Sequence, residues 1–402
     1  MISLQDALKL IADNRPNLEV IQADLKTALG ARCAHNVTAR LTMPPFDASA
    51  MDGYALRTQD ASEDAQLTVI GEAPAGTAYD GEIKAGQAVR IFTGGPVPKG
   101  ADTIVIQENV TRSRDTITID TAPKFNNAIR KAGIDFAAGD ILIPKGALIN
   151  PAHVALAASG NHAQIPICRR PKVALIANGD ELRPPGSDLK GGQIISSNSA
   201  GLAALIESWG GDAIDLGIAS DDIGSIDALI NAAKNADIIV PIGGASVGDY
   251  DYMKEAFSAA GYTPIFSKIA VKPGKPTWFG TLGAQRVLGL PGNPASATVC
   301  AHLCLKVLMG LCDTPKLIEG TLDTDISKNG QRETYLRGRL SIGQSGALII
   351  TPFPRQDSSL LTPLAASNAL VQLPPHGGPW KAGDKIRAHP LGQGPEIWVS
   401  PA

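Results

Sequence analysis

The sequence predicts a multidomain α/β plus β protein. A central, mostly parallel α/β domain over 171–320 is joined by a helical and extended N-terminal domain, a small β-barrel-like domain and a C-terminal β-domain. Three observations carry that reading. From Lys172 to about Met309, short apolar runs alternate with helix-period runs, as in a parallel sheet with crossover helices. Over 46–143 and 325–402, alternating runs are separated by Gly and Pro with no helix between them. The 402 residues also exceed the roughly 250–300 that a single core supports.

In chain order, Ser3 and Asp6 form a capping pair ahead of a helix whose apolar stripe is Leu4, Leu8 and Ile11. Regular structure stops at Met43-Pro44-Pro45-Phe46. Residues 1–45, together with 144–170 and its alanine-rich helix at 152–159, make the N-terminal domain. The β-rich domain, 46–143, has strands near 67–70, 88–92, 103–106 and 116–119, and polar loops at 47–55, 93–102 and 130–135. The pair Arg169-Arg170 before Pro171 reads as a boundary. The α/β domain has strands near 173–176, 213–216, 238–240 and 287–290, helices across 202–209 and 223–233, and another beginning near Met253. Runs at 335–340, 348–351, 369–373 and 385–388 make the C-terminal β-domain, 325–402.

Composition excludes several classes. With 36 Lys and Arg against 39 Asp and Glu, the net charge of −3 provides no field for nucleic acid or an anionic membrane. Aromatics, at 4%, are too scarce for a base-stacking platform. The N-terminal stretch is broken by Asp6, Lys9 and Asp13, unlike a signal peptide, and no apolar run approaches the ~20 residues that span a bilayer. Cys33, Cys168, Cys300, Cys304 and Cys312 include no CxxC pair, which points to reduced thiols in a cytoplasmic protein. Cys300 and Cys304 flank His302, but the helical spacing of Leu303, Val307 and Leu308 favours buried packing over zinc.

Chemistry concentrates between Asp237 and Asp251. A buried run, Ile238-Ile239-Val240, leads to Gly243-Gly244-Ala245-Ser246-Val247-Gly248, and Asp249 and Asp251 follow at once. Glycines let the backbone approach a ligand, and open parallel sheets bind ligands at their carboxyl edge. Loops 178–181, 220–222, 243–251 and 291–293 all rise on that edge, so Glu181, Asp221, Asp249 and Asp251 can converge. Converging carboxylates need a cation, and oxygen-only donors favour Mg2+ shared with a substrate phosphate. Plainer roles stay open: Asp221 or Asp222 as a helix N-cap, and the other acids as solvated loop residues. Lys268, Lys272 and Lys275, stiffened by Pro273 and Pro276, suit an oxyanion or phosphate unless they are ordinary surface lysines. Asn293 is placed to cap a helix starting at Pro294. There is no GxxxxGK[ST], GxGxxG or HExxH, and no GxSxG with a plausible His partner. Residue chemistry alone therefore reaches a metal-assisted enzyme acting on a phosphorylated anion.

Six motifs together go further: Ser49-Ala-Met-Asp-Gly-Tyr-Ala55, Thr93-Gly-Gly-Pro-Val-Pro98 with Gly-Ala-Asp102, Gly179-Asp-Glu-Leu182, Gly243-Gly-Ala-Ser-Val-Gly248, Lys272-Pro-Gly-Lys-Pro276 and Leu290-Pro-Gly-Asn-Pro294. In this order they closely resemble the molybdopterin molybdenumtransferase family, which includes MoeA and the E domain of gephyrin, over nearly the whole chain. The resemblance implies insertion of molybdate into the dithiolene of adenylylated molybdopterin, with Mg2+-dependent release of AMP and molybdenum cofactor. It implies four domains, the elongated N-terminal one serving dimerisation, and a homodimer whose site combines both subunits.

Carried over by motif, Glu181 and Asp251 are the candidates for the metal or pyrophosphate site, with Asp221 nearby. Asp52, Thr93 and Asp135 would be supplied by the second subunit. Lys268, Lys272 and Lys275 would hold molybdate or phosphate, with Lys272 among the catalytic groups. Gly243, Gly244, Ser246, Gly248 and Asp249 would bind substrate, and Pro291, Gly292, Asn293 and Pro294 would shape its pocket. A molybdopterin adenylyltransferase and cofactor-accepting enzymes are the implied further partners, with neither nucleic acid nor membrane. Asn178, Ile134 and Pro241-Ile242 depart from the family's usual residues. A molybdopterin adenylyltransferase would lack the β-rich flanks, and the intact Glu181, Asp251 and Lys272 argue against a scaffold with a degenerate site.

Overall fold

A computed structural model of the protein describes residues 1–244, 252–344 and 346–392 and the backbone of strand Trp398–Val399. The chain divides into two units, Met1–Glu19 with Arg169–Ala402, and Val20–Cys168.

The first unit is built on a six-stranded sheet in the order Asp212–Ala219, Lys172–Asn178, Ile238–Ile242, Gln285–Gly289, Trp278–Leu282, Thr263–Phe266. The first four strands are parallel, as strand–helix alternation requires. Ile238–Ile242 is buried at all five positions, and its residues alternate between faces. Ile238, Val240 and Ile242 pack with Val173 and Leu175 against helices Leu4–Asp13, Asn198–Ser208 and Pro294–Cys300. Ile239 packs with Ala174 and Ile176 against Ile223–Ala232 and Tyr252–Ala259.

The Ser3 and Asp6 pair forms as expected: Ser3 Oγ accepts the Asp6 N–H at 3.1 Å and donates to its carboxylate at 2.6 Å. The helix it caps buries Leu4, Ala7, Leu8 and Ile11 in the α/β core, and so joins this unit instead of residues 144–170. Cys300 and Cys304 are fully buried in that core, as the packing reading has it, and none of the five cysteines is in a disulfide.

Strict alternation ends on the far side of the sheet. Trp278–Leu282 and Gln285–Gly289 form an antiparallel hairpin over Gly283-Ala284, with Gly283 at φ +57°. Two-residue hairpin turns call for a positive φ there, which glycine adopts freely. Further along, Ile318–Leu322, Glu333–Ile342, Leu348–Pro352, Ala369–Leu373 and Lys385–Pro390 close into a ring, since Glu333–Ile342 pairs with both Leu348–Pro352 and Ala369–Leu373. Closure removes the free edges of a sheet. Val271–Lys272, read from the sequence as part of the α/β domain, pairs with Glu333–Thr334 and so extends this C-terminal sheet.

The second unit carries a six-stranded sheet in the order Thr103–Ile106, Gly53–Leu56, Gln87–Ile91, Gln66–Ala73, Thr116–Ile119, Val110–Ser113. A separate sheet sets Gln164–Cys168 between Val20–Asp24 and Arg32–Cys33, sharing a core with helix Pro151–Ser159 through Ala157, Ile165 and Ile167. Neither longer strand is legible in the sequence. Pro166 interrupts one, and the other exposes four of its five residues. Among the described residues, no helix is long and apolar enough to cross a membrane.

Candidate functional site

Strand Lys172–Asn178 delivers Gly179, Asp180 and Glu181 at its carboxyl end. Gly179 has φ +149°, and a Cβ there would stand 2.5 Å from Glu181 Oε2. Only glycine lets the Glu181 carboxylate fold back over this turn. The neighbouring strand, Asp212–Ala219, delivers two aspartates with different duties. Asp222 caps helix Ile223–Ala232 by accepting the Ser225 N–H at 2.8 Å. Asp221 accepts the Asn178 amide at 2.9 Å and the Asp180 N–H at 3.3 Å, while Asp180 accepts the Asp221 N–H at 3.1 Å. The two loops are thereby cross-tied, and buried Asn178 forms the bridge.

Asp180, Glu181 and Asp221 line one recess of about 500 Å³, together with Gly244 and Tyr252. A cleft of about 640 Å³ adjoins it, sharing Asn178, Glu181 and Gly244. Pro291, Gly292, Asn293 and Pro294 form another wall of that cleft, together with Gly243. Gly243 donates its N–H to the Leu290 carbonyl at 3.1 Å, and a Cβ on Gly292 would lie 3.5 Å from the Gly243 Cα. Asn198 Nδ2 holds the Gly292 carbonyl at 2.7 Å. Asn293 occupies the N-cap position but does not cap with its side chain. Its amide donates to Ser358 Oγ at 2.8 Å, and the Ser358 carbonyl accepts the Ala295 N–H at 3.0 Å. A distant serine therefore takes the capping duty.

Ser246, Gly248, Asp249 and Asp251 lie outside the described residues. Lys272 and Lys275 are exposed and Lys268 is half-buried. Between the first two, Gly274 at φ +118° presses on Cys300 Sγ, and Thr277 Oγ1 holds its carbonyl at 2.8 Å. Pro276, at the end of that turn, reaches the cleft wall.

In the other unit, Asp52 accepts both the N–H and the hydroxyl of Thr93, each at 2.8 Å. Those bonds, the N–H foremost, hold the Asp52 carboxyl below its ordinary range. Asp47 accepts the Lys131 ammonium and the Ala132 N–H, both at 2.9 Å. The Lys131 bond lowers its pKa most. Ile129–Arg130 also pairs with Ala48–Ser49, so the unit's three polar loops meet around residues 47–52. Asp135 is exposed and tied through its N–H to the Met43 carbonyl at 3.2 Å.

Sequence reasoning did not single out Asp47, Asp180, Asn198 or Ser358 as site residues. A signal existed for Asn198, because Ser196-Ser197-Asn198 is a polar cluster just ahead of a helical period. Ser358 lies 65 residues from Asn293 and had none. The recess offers oxygen donors only, which fits a hard divalent ion that keeps waters and takes one or two carboxylates. Among the described residues, no group of three or more His, Cys, Asp or Glu is arranged to hold a metal by itself.

Comparison with known proteins agrees with this layout. Residues 2–160 match the MoeA N-terminal region (domains I and II), 174–310 a probable molybdopterin binding domain, and 319–391 the MoeA C-terminal region (domain IV). The chain is 33% identical over 400 residues to a molybdopterin molybdenumtransferase of Haemophilus influenzae, covering 97% of this chain and 99% of that one. It is 35% identical over 393 residues to another from Nostoc sp., covering 93% and 90%. The crystal structure of a molybdopterin biosynthesis MoeA protein from Pyrococcus horikoshii matches with a TM-score of 0.84 at 27% identity, over 97% of this chain and 100% of that one.

Proposed function

The chain belongs to the molybdopterin molybdenumtransferase family, and from that membership we propose that it inserts molybdate into the dithiolene of adenylylated molybdopterin with Mg2+-dependent release of AMP. Its place is molybdenum cofactor biosynthesis. The observation that carries the finer reading is an oxygen-lined recess and a larger cleft sharing the Glu181 carboxylate.

Glu181 and Asp251 would hold Mg2+, with Asp221 nearby in the recess. The chemistry such an ion would supply there is neutralisation of the phosphate charge that builds up on AMP release. The chain's own groups do the rest. Gly243 and Gly244 bring the backbone close to the substrate without side chains in the way. Lys268, Lys272 and Lys275 attract molybdate and phosphate oxygens. The 291–294 wall, pinned by Asn198 and Ser358, keeps the cleft in shape. Charge stabilisation by preset groups is the protein's contribution, and no side-chain nucleophile is needed.

The same resemblance supports a cytoplasmic homodimer in which the second copy supplies Asp52, Thr93 and Asp135. Asp52 and Thr93 are already locked to one another, as a preformed contribution would require. With the first helix moved to the α/β unit, it also supports a domain partition of 20–45 with 144–170, 46–143, 171–320 and 325–402, and handover from an adenylyltransferase and on to cofactor-accepting enzymes. Incubation with adenylylated molybdopterin, molybdate and Mg2+, followed by addition of an apo-molybdoenzyme, tests the reading. Activation of that enzyme supports it, and a persistently inactive acceptor counts against it.

A further inference from the structure

A separate pocket of about 690 Å³ lies beside strand Asp212–Ala219. It shares Leu182 and Ser196 with the cleft, and Gly179 and Asp180 with the acidic recess. Two independent features point to a ligand. Ser199, in its wall, is only 6% exposed and its hydroxyl has no hydrogen-bond partner. A buried hydroxyl left without a partner is costly, so something that completes it is expected.

The second feature is a β-bulge. Leu175 pairs with Asp215 but Ala177 pairs with Ile218, so Leu216 and Gly217 together oppose the single Ile176 and the outer strand carries one extra residue. Gly217 adopts φ +91°, and its N–H donates to Asp215 Oδ1 at 3.0 Å. The bulge thus engages one carboxylate oxygen of Asp215, which lines the pocket, and leaves the other for a ligand; bulges near sites often re-aim a side chain in this way.

The polar groups the argument uses are the Asp215 carboxylate and the Ser199 hydroxyl, between apolar walls that include Leu182, Pro184 and Ile218. Arg183 Nη1 is engaged with the Asp180 and Leu182 carbonyls at 2.9 and 2.6 Å, and the lining sets two carboxylates, Asp180 and Asp215, against this one guanidinium, so the pocket favours a donor-bearing group over an anion. Apolar walls and a carboxylate at the rim suit a flat ring that presents N–H donors. We propose that this pocket seats a flat, amino-substituted heterocycle of the substrate, with Asp215 accepting from its amino edge and Ser199 completing the contact. The inference rests on the proposed substrate, which carries such a ring at each end, a pterin and an adenine.

The test titrates 6-hydroxymethylpterin and AMP separately into wild-type protein, Asp215→Asn and Ser199→Ala. At least one of the two ligands should lose about tenfold in affinity in both variants, and which one does so identifies the end that is bound. KM for the full substrate should rise with kcat retained. Ser199→Ala should melt no lower than wild type, because its hydroxyl has no protein partner. Failure of both ligands to bind, or affinities unchanged in both variants, overturns the assignment. Normal molybdate-dependent AMP release by wild-type protein alongside unchanged affinities would strike this inference alone. Absence of that release would strike the parent reading.

Discussion

Glu181 lies over Gly179 so closely that a methyl group on Gly179 would stand 2.5 Å from the Glu181 Oε2, at a backbone φ of +149°. Gly179→Ala therefore forces either the turn or the carboxylate to move. The expected outcome is a turnover loss of about 10²-fold, as for removal of a preset charge, with most of the fold retained. AMP release together with a thermal melt measures both, and an unchanged rate would show that the Glu181 position is not critical.

Glu181→Gln removes charge without changing size. Turnover should fall by about 10²-fold or more while the melting temperature barely moves. A folded variant with near-normal turnover would remove Glu181 from the site.

The two adjacent aspartates should behave differently. Asn178→Ala deletes the amide that pairs with Asp221 at 2.9 Å and should cost about 1–3 kcal/mol in urea unfolding, as well as activity, because loops 178–181 and 220–222 lose their tie. Asp222→Ala removes only a helix cap and should cost about 1 kcal/mol with turnover nearly intact. The reverse ranking in turnover would contradict the division of labour.

These contrasts mark what could be read in advance. The central strand was legible because Ile238 to Val240 is an uninterrupted apolar run, and the parallel-sheet rule then places Glu181 and Asp221 on one edge. Which aspartate caps and which bridges was not legible, since Asn178 decides it from 43 residues away. Ring closure of the C-terminal sheet depends on Glu333–Ile342 having two partners, which local periodicity does not encode. Likewise Asp47 and Lys131 are 84 residues apart, and each alone reads as a loop charge.

Acid should weaken the α/β unit through a buried histidine. His302 is 2% exposed, with the Trp209 ring edge-on at 5.0 Å and the His389 ring at 6.1 Å. Burial above all, then the charges of His389 and Lys306, push its pKa down to about 3. Burial also holds His389 low. Unfolded imidazoles return to about 6.5. The unfolded chain then binds more protons below that value, so stability should fall as pH drops from about 6.5 toward about 3. Urea unfolding at neutral and mildly acidic pH checks this, and His302→Leu should lose less on acidification than wild type. Equal losses would contradict the assignment.

The shared-site proposal makes a genetic-style prediction. Asp52→Asn and Glu181→Gln homodimers should both be nearly inactive, whereas a heterodimer of the two retains one intact site and should recover about half of wild-type activity per dimer. Verified heterodimers without activity would argue that each chain builds its site alone.

The most direct measurement is AMP release from adenylylated molybdopterin in the presence of Mg2+, with and without molybdate, by wild-type protein and Glu181→Gln. The account predicts molybdate-dependent release by the wild type, falling about 10²-fold in the variant. Tight substrate binding with no release under either condition would contradict a transferase and leave a carrier of molybdopterin.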